Sequence, residues 1–273
     1  MAKPRRPKRQ GKRDRPRTGR CAACKRSFRQ PAVGRHGRYC SNACRQVAYR
    51  RRRGEGESRG LVRLVQADAR EFLASLPDES VGLIVTDPPY LSDFASGPDG
   101  DRFPQLPDSA WEEIFAELYR VLAQDSHAYV FADRRIRPIF EAAAEAARFR
   151  THHALIWDKR SIGLGHGVWR PQHEFVCFFS KGSRRGNSKS CGDVLYAPRP
   201  RGYPTEKPVK VLKALIAQSS RRGELALDPF CGSGSTGMAA RMLGRRALLC
   251  DVDAGFAAGR LRLGIEAWTL AET

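Results

Sequence analysis

Two short segments of the 273-residue chain carry residue types that can do chemistry, and a third can hold a metal. The first is Thr86-Asp87-Pro88-Pro89-Tyr90, which ends the apolar run Val81 to Thr86. Each proline fixes its own φ, lacks an N–H and pushes the residue before it out of the helical region, so the backbone after Asp87 is rigid and extended. Such a segment leaves carbonyl oxygens free to accept hydrogen bonds beside a carboxylate and an aromatic ring. Taken alone, it reads equally well as a turn that closes a strand.

The second segment, LALDPFCGSGSTGMAA from Leu225 to Ala240, passes from a strand through a glycine-rich turn into a helix. Gly232 and Gly234 permit tight turning and close approach of a ligand, and the helix N-terminus offers free N–H groups and a positive dipole end. The following apolar run ends in Asp251, about 20 residues on, where an acid can accept both hydroxyls of a ribose. The pair of features predicts a nucleoside cofactor site. A triphosphate loop is excluded, because no Gly-Lys-Ser/Thr follows the glycines.

Four of the eight cysteines are patterned: Cys21 and Cys24, then Cys40 and Cys44. Two close pairs separated by a short loop let four thiolates close a tetrahedron around zinc, and so small a module needs a metal to fold. Four free thiols are the alternative. His36 lies between the pairs but is not needed to fill the shell, and Cys177, Cys191, Cys231 and Cys250 show no ligand spacing. Residues 1–60 hold 21 Lys or Arg against 3 Asp or Glu, and the rest of the chain 28 against 26, so nearly all of the net charge of +20 lies in the first fifth. Residues 1–20 form a basic tail expected to be disordered when free, with DNA or RNA as its partner or a plain solvated or targeting tail as the alternative. Residues 21–53 form the basic zinc module, with Ser41 capping a helix that carries Arg45 and Arg50 to Arg53, and 54–60 are a linker.

The elements that must position the two chemical segments lie in residues 61–273. Strands are expected near 62–66, 81–86, 127–132, 152–157, 173–180, 225–228 and 246–250, and amphipathic helices near 69–76, 109–123, 135–147, 208–220, 235–243 and 254–268. Seven strands alternating with helices imply an α/β fold with an open, mostly parallel sheet covered on both faces. The strands 152–157 and 173–180 have no helix between them and are expected to pair antiparallel. Three polar stretches read as loops: 91–109 as a lid, and 159–172 and 181–202 as surfaces that read a nucleic acid, or as plain surface loops. No run reaches the roughly 20 apolar residues of a membrane span. A soluble, cytoplasmic, DNA-associated protein with no membrane partner is expected.

Thr86 to Tyr90 and Asp228 to Gly234 (DPFCGSG) resemble the catalytic and S-adenosylmethionine motifs of DNA amino-methyltransferases. Their order, catalytic motif first, resembles the permuted β class of that family, and GYPTEKPVKVLKALI resembles its His-Pro-Thr-Gln-Lys-Pro segment. The resemblance spans about residues 61–268 and implies a Rossmann-like, class I methyltransferase fold, a bacterial or phage-like restriction-modification setting and a possible homodimer. It further implies that Phe230, Gly232 and Gly234, with Asp228, Cys231 and Ser233 of the same motif and Asp87 opposite, form the cofactor pocket. Asp251 then holds the ribose, Asp68 the adenine amino group, and Thr205 and Lys207 the methionine carboxylate. Tyr203 and Glu206 depart from the family, which more often has His and Gln there.

Under that resemblance, Asp87 and the Pro88 carbonyl each accept one N–H of an exocyclic amino group, whose lone pair is otherwise delocalised into the base. Pro89 holds these acceptors still, Tyr90 stacks on a base flipped from the duplex, and Asp87 takes up the released proton. Asp at the first motif position favours adenine N6, with cytosine N4 as the alternative. An RNA or protein amide methyltransferase, or a catalytically silent DNA-binding platform, are the readings from other classes.

Overall fold

The computed structural model describes residues 18–21, 25–29, 39–41, 44, 62–89, 106–163, 169–203 and 205–261. Outside them lie the basic tail through residue 17, Cys24, His36, most of the expected helix 42–53, the linker 54–60, Tyr90, the expected lid through residue 105, residues 164–168 and the end of the last expected helix. The chain divides into two units, Met1–Glu57 and Ser58–Thr273.

In the smaller unit, β1 (Thr18–Arg20) pairs antiparallel with β2 (Ser27–Arg29). The turn between them begins at buried Cys21, whose N–H donates to the Arg26 carbonyl at 2.8 Å and whose carbonyl accepts from the Lys25 N–H at 3.0 Å. Lys25 takes the left-handed conformation that closes the turn, with φ at +63°. Ser41 Oγ accepts the Cys44 N–H at 3.1 Å, the cap expected from the sequence.

The larger unit runs β3 (Val62–Gln66), α1 (Ala69–Ala74), β4 (Val81–Thr86), α2 (Asp108–Val121), β5 (Leu122–Ala132), α3 (Arg137–Ala146), β6 (Arg150–Thr151), β7 (Leu155–Asp158), β8 (His173–Lys181), β9 (Val194–Tyr196), α4 (Val209–Ser219), β10 (Leu225–Asp228), α5 (Ser235–Met242), β11 (Arg246–Asp251) and α6 (Gly255–Leu261). The sheet order is β3-β11-β10-β4-β5-β8-β7-β9, with β6 also on β8. The five strands from β3 to β5 are parallel, β8 is antiparallel to β5 and to β7, and β9 is parallel to β7.

Among the described residues this sheet has nine strands rather than the seven expected. The two additional strands, β6 and β9, are two and three residues long, too short to print a period on the sequence. β9 lies inside the expected loop 181–202 and takes the sheet edge that the sequence assigned to 152–157. β5 begins five residues before the expected start, straight from the end of α2; polar Gln124, Asp125 and Ser126 hide this part of the strand from the apolar pattern.

Strand residues alternate between two cores, which is why β4 reads as a continuous apolar run rather than an alternating one. Ile84, Val130, Phe179 and Leu248 pack with Phe72, Trp111, Phe115 and Phe140 from α1, α2 and α3. Leu83, Val85, Phe131 and Leu249 pack with Leu212, Ile216, Ala240 and Leu261 from α4, α5 and α6. Burying a large side chain such as Phe115 or Phe140 contributes about 1.5–3 kcal/mol, so these two layers fix the sheet firmly. Strand order reverses between the parallel neighbours β10 and β4, since the segment after β10 leads to β11 on one side and the segment after β4 leads to β5 on the other. A crevice opens at the carboxyl ends of the strands at such a point. No described helix is long and apolar enough to cross a membrane.

Candidate active site

Asp87 follows the last residue of β4 and stands at this reversal. Pro88 behind it is buried. Asp87 Oδ2 is ion-paired with Lys207 Nζ, which also lies 3.4 Å from Glu174 Oε2 and donates to the Thr205 carbonyl at 3.2 Å. Glu174 Oε1 in turn pairs with Lys159 Nζ at 2.7 Å. Lys207 sits over the Phe131 ring at 5.3 Å and Lys159 over the Trp157 ring at 5.5 Å, so both cations rest on aromatic faces of the same core. Asp87 Oδ1 is buried and has no hydrogen-bond partner among the described residues.

The electrostatics follow from burial set against these neighbours. Burial raises the Asp87 carboxyl above its ordinary range, opposed by Lys207 and reinforced by Glu174. Burial works against the Lys207 ammonium, but Asp87 and Glu174 outweigh it and hold the ammonium charged. Glu174 is likewise held ionised, because Lys207 and Lys159 overcome its desolvation.

The glycine-rich turn is tied to β4 from the side. Thr86 Oγ1 donates to Asp228 Oδ1 at 2.7 Å, and the Phe230 N–H donates to the same oxygen at 3.2 Å. Asp228 is fully enclosed, and burial lifts its carboxyl to about 7. Its place is therefore between the two motifs rather than on the crevice wall. Cys231 and Ser233 also point inward: the Cys231 thiol is buried and Ser233 Oγ bonds Ser235 Oγ at 2.8 Å.

Gly232, at φ +45°, donates its N–H to Asp251 Oδ2 at 2.7 Å. Among the described residues only the edge of the Tyr203 ring comes near where a side chain on Gly232 would stand, at 3.5 Å, so this face of the turn can admit a ligand. Gly234, at φ +72°, precedes α5 and faces Leu261 and Ala257 of α6. Tyr203 packs against Phe256, with ring centroids 4.6 Å apart and the planes tilted by 44°, an apolar wall beside the turn. Asp251 ends β11, directly beside Gln66 of β3, and Asp68 follows two residues later. Asp68 caps α1, accepting from the Arg70 N–H at 2.8 Å, and Arg70 holds its carboxyl below the usual range. Thr205 adopts φ +61° and is exposed, and Glu206 Oε1 pairs with Arg260 at 2.6 Å. The donor set of open glycine turn, apolar wall and two strand-end carboxylates suits a nucleoside cofactor.

Of the residues singled out from sequence, the structure thus brings Asp87 and Lys207 into contact, Gly232 onto Asp251, and Asp228 under Phe230. Tyr90 lies outside the described residues. Glu174 and Lys159 went unnoticed in the sequence, although a lone acid in the apolar strand HEFVCFFS was a signal. The loops at this end carry exposed Trp169, Arg199 and Arg201, whereas Arg184, paired with Glu224 at 3.0 Å, and exposed Arg185 and Lys189 follow β8 at the opposite end of the sheet. In the smaller unit, the thiols of Cys21, Cys40 and Cys44 lie within 4.8 Å of one another, with Cys40 and Cys44 at 3.4 Å. Cys24 lies outside the described residues.

A family model described as DNA methylase (N6_N4_Mtase) matches residues 81–259. YubD of Escherichia coli (strain K12), a putative methylase by name, is 34% identical over 189 residues, covering 68% of this chain and 82% of YubD. The DNA adenine methyltransferase YhdJ of the same strain is 26% identical over 241 residues, covering 71% of this chain and 79% of YhdJ. TTHA0409 from Thermus thermophilus, solved in complex with S-adenosyl-L-methionine, superposes with a TM-score of 0.61 at 22% identity, over 77% of this chain and 99% of that one, which shows a shared fold. The chain therefore belongs to the N6/N4 DNA methylase family and is an S-adenosylmethionine-dependent DNA methyltransferase.

Proposed function

We propose that the enzyme methylates the N6 amino group of an adenine flipped out of double-stranded DNA. The observation that carries this reading is the asymmetry of Asp87: one carboxylate oxygen is held by Lys207 and the other is buried with no partner among the described residues, at the switch point of the sheet. A buried acceptor left open costs about 1–3 kcal/mol, and the N–H of an incoming amino group relieves it. Asp87 and the Pro88 carbonyl then accept the two N–H bonds and turn the nitrogen lone pair outward, and the prolines keep both acceptors in place during the reaction. Tyr90 stacks on the base. The raised Asp87 carboxyl is suited to receive the proton that the methylated nitrogen gives up. Adenine is favoured by Asp at the first motif position and by the adenine specificity in the name of YhdJ.

S-adenosylmethionine supplies the methyl group. In this reading Gly232 and Gly234 shape its pocket, Phe230, Tyr203 and Phe256 wall it, Asp251 accepts from the ribose and Asp68 from the adenine amino group. Lys207 pairs with Asp87, donates to the Thr205 carbonyl and stands 3.4 Å from Glu174 Oε2, so we assign it to Asp87 and leave the methionine carboxylate to Thr205. Genomic DNA lacking methylated bases, incubated with the protein and S-adenosylmethionine and hydrolysed to nucleosides, is expected to yield N6-methyladenine by mass. N4-methylcytosine overturns the base assignment.

The small unit is proposed to hold one structural zinc on Cys21, Cys24, Cys40 and Cys44, and to add phosphate contacts through its arginines and lysines. Three of the thiols already converge, and the 3.4 Å between Cys40 and Cys44 is near the edge of a tetrahedron, about 3.8 Å for Zn–S bonds of about 2.3 Å. Metal analysis is expected to find one zinc per chain, lost in Cys21→Ser, and a zinc-free folded protein refutes the assignment. A homodimer completes the reading, on the family resemblance alone, and light scattering tests it.

A further inference from the structure

We propose that Glu174, with Lys159 behind it, is a positioning pair for the reaction, dividing the charge of Lys207 so that Asp87 stays basic enough to take the amino proton. This inference rests on the reading of Asp87 given above. The four groups form a buried row, Lys159, Glu174, Lys207 and Asp87, in which the signs alternate and cancel. They come from four places in the chain: just past β7, the start of β8, the loop before α4, and the end of β4.

The scaffold holds the far end of the row rigidly. β7 pairs antiparallel with β8 so that Trp157 stands opposite Glu174. Lys159 donates its backbone N–H to the Gln172 carbonyl at 2.9 Å, and Asp158 accepts from Gln172 Nε2 at 2.9 Å and from the Arg160 N–H at 2.8 Å. These contacts anchor the backbone beside Lys159, whose ammonium pairs with Glu174 Oε1 while that of Lys207 faces Oε2 of the same carboxylate. Burying charges in this way is expensive and rarely stabilises a fold by itself, whereas such rows concentrate where protonation matters.

Lys207 facing Asp87 alone would make Asp87 a weak base. Glu174 draws part of that charge away, and Lys159 keeps Glu174 from overcorrecting. The step being tuned is simple in its balance: the N–H bond of the methylated nitrogen breaks, its electron pair stays on nitrogen, the proton joins Asp87 Oδ1, and Asp87 later returns it to water. The groups facing Asp87 are Lys207, Glu174 and Lys159 and, from β10, Asp228.

The test is the pH profile of kcat/KM for DNA methylation in the full-length protein, for wild type, Glu174→Gln, Lys159→Met and the double variant, with S-adenosylmethionine binding measured on each to show that it is folded. Asp87 acts ionised, so the acid limb reports its proton affinity. Removing Glu174 takes away a negative neighbour, and the limb is expected to move to lower pH by about one unit, the lower end of the range for a charge at this distance. Removing Lys159 takes away a positive neighbour and is expected to move the limb to higher pH by a similar amount. The charge-balanced double variant returns it close to wild type. Shifts in the same direction, or none, with cofactor binding intact, overturn the proposal. If Glu174→Gln fails to fold, Lys159→Met decides by its direction alone. Methyl transfer absent from the wild type overturns the underlying reading of the site, and this inference with it.

Discussion

Asp228 is an acid placed where an acid is costly, and replacing it with Asn should stabilise the fold at alkaline pH. Its carboxyl sits near 7 in the folded protein, raised by burial from an ordinary 3.8. A raised carboxyl means that the folded state binds the proton more tightly than the unfolded chain. Its contribution is fully present below pH 3.8 and is lost as pH rises through 7. At about 1.36 kcal/mol per pH unit, the span from about pH 5 to 7 removes at most about 3 kcal/mol. Asn keeps the shape and an acceptor for Thr86 Oγ1 and the Phe230 N–H but has nothing to ionise. The melting temperature of Asp228→Asn minus that of wild type should therefore grow between about pH 5 and pH 8 by roughly 6–12 °C, at about 2–4 °C per kcal/mol for a unit of this size. Differential scanning calorimetry at the two pH values measures this directly. A difference that stays constant with pH refutes the assignment of Asp228 as a buried, protonatable tie between the two motifs.

Gly234→Ala should lower the melting temperature by roughly 6–12 °C, because a side chain there must adopt φ +72° and its Cβ would come within 2.9 Å of Leu261 and 3.1 Å of Ala257. Left-handed backbone and overpacking together cost about 3 kcal/mol, and a melting temperature within about 2 °C of wild type contradicts this. Deleting residues 1–60 should weaken DNA binding and flatten its salt dependence, each lost phosphate contact lowering the slope of log K against log salt by about 0.9. An unchanged slope means that the basic arm does not touch the backbone of DNA.

Much of the site was legible because its motifs are local. Thr86 to Tyr90 and Leu225 to Ala240 each contain the strand, the break and the chemical residues in one stretch, and Asp251 ends the next strand. The double burial of the sheet was also legible, since runs such as VGLIVT leave no polar face. Contacts made across distant segments were not. Glu174 meets Lys207 only because β8 runs antiparallel to both β5 and β7, a register no local pattern encodes. Lys207, which the resemblance makes a ligand for the methionine carboxylate, also stands beside Asp87 and Glu174, a contact that no local pattern announces. Asp228, Cys231 and Ser233 share the cofactor motif yet turn inward, because a tight turn alternates its side chains between crevice and core. β9 escaped notice because three residues cannot display a period of two.

The chemistry proposed depends on the ionised carboxylate of Asp87, which receives the amino group and takes up its proton. The most direct test is single-turnover methyl transfer by Asp87→Asn beside wild type, with S-adenosylmethionine binding measured on both. Asn keeps the size of the side chain but carries no charge and cannot take up the proton. A rate at least about 100-fold lower is expected, with cofactor affinity little changed. A rate within a few-fold of wild type would contradict that role.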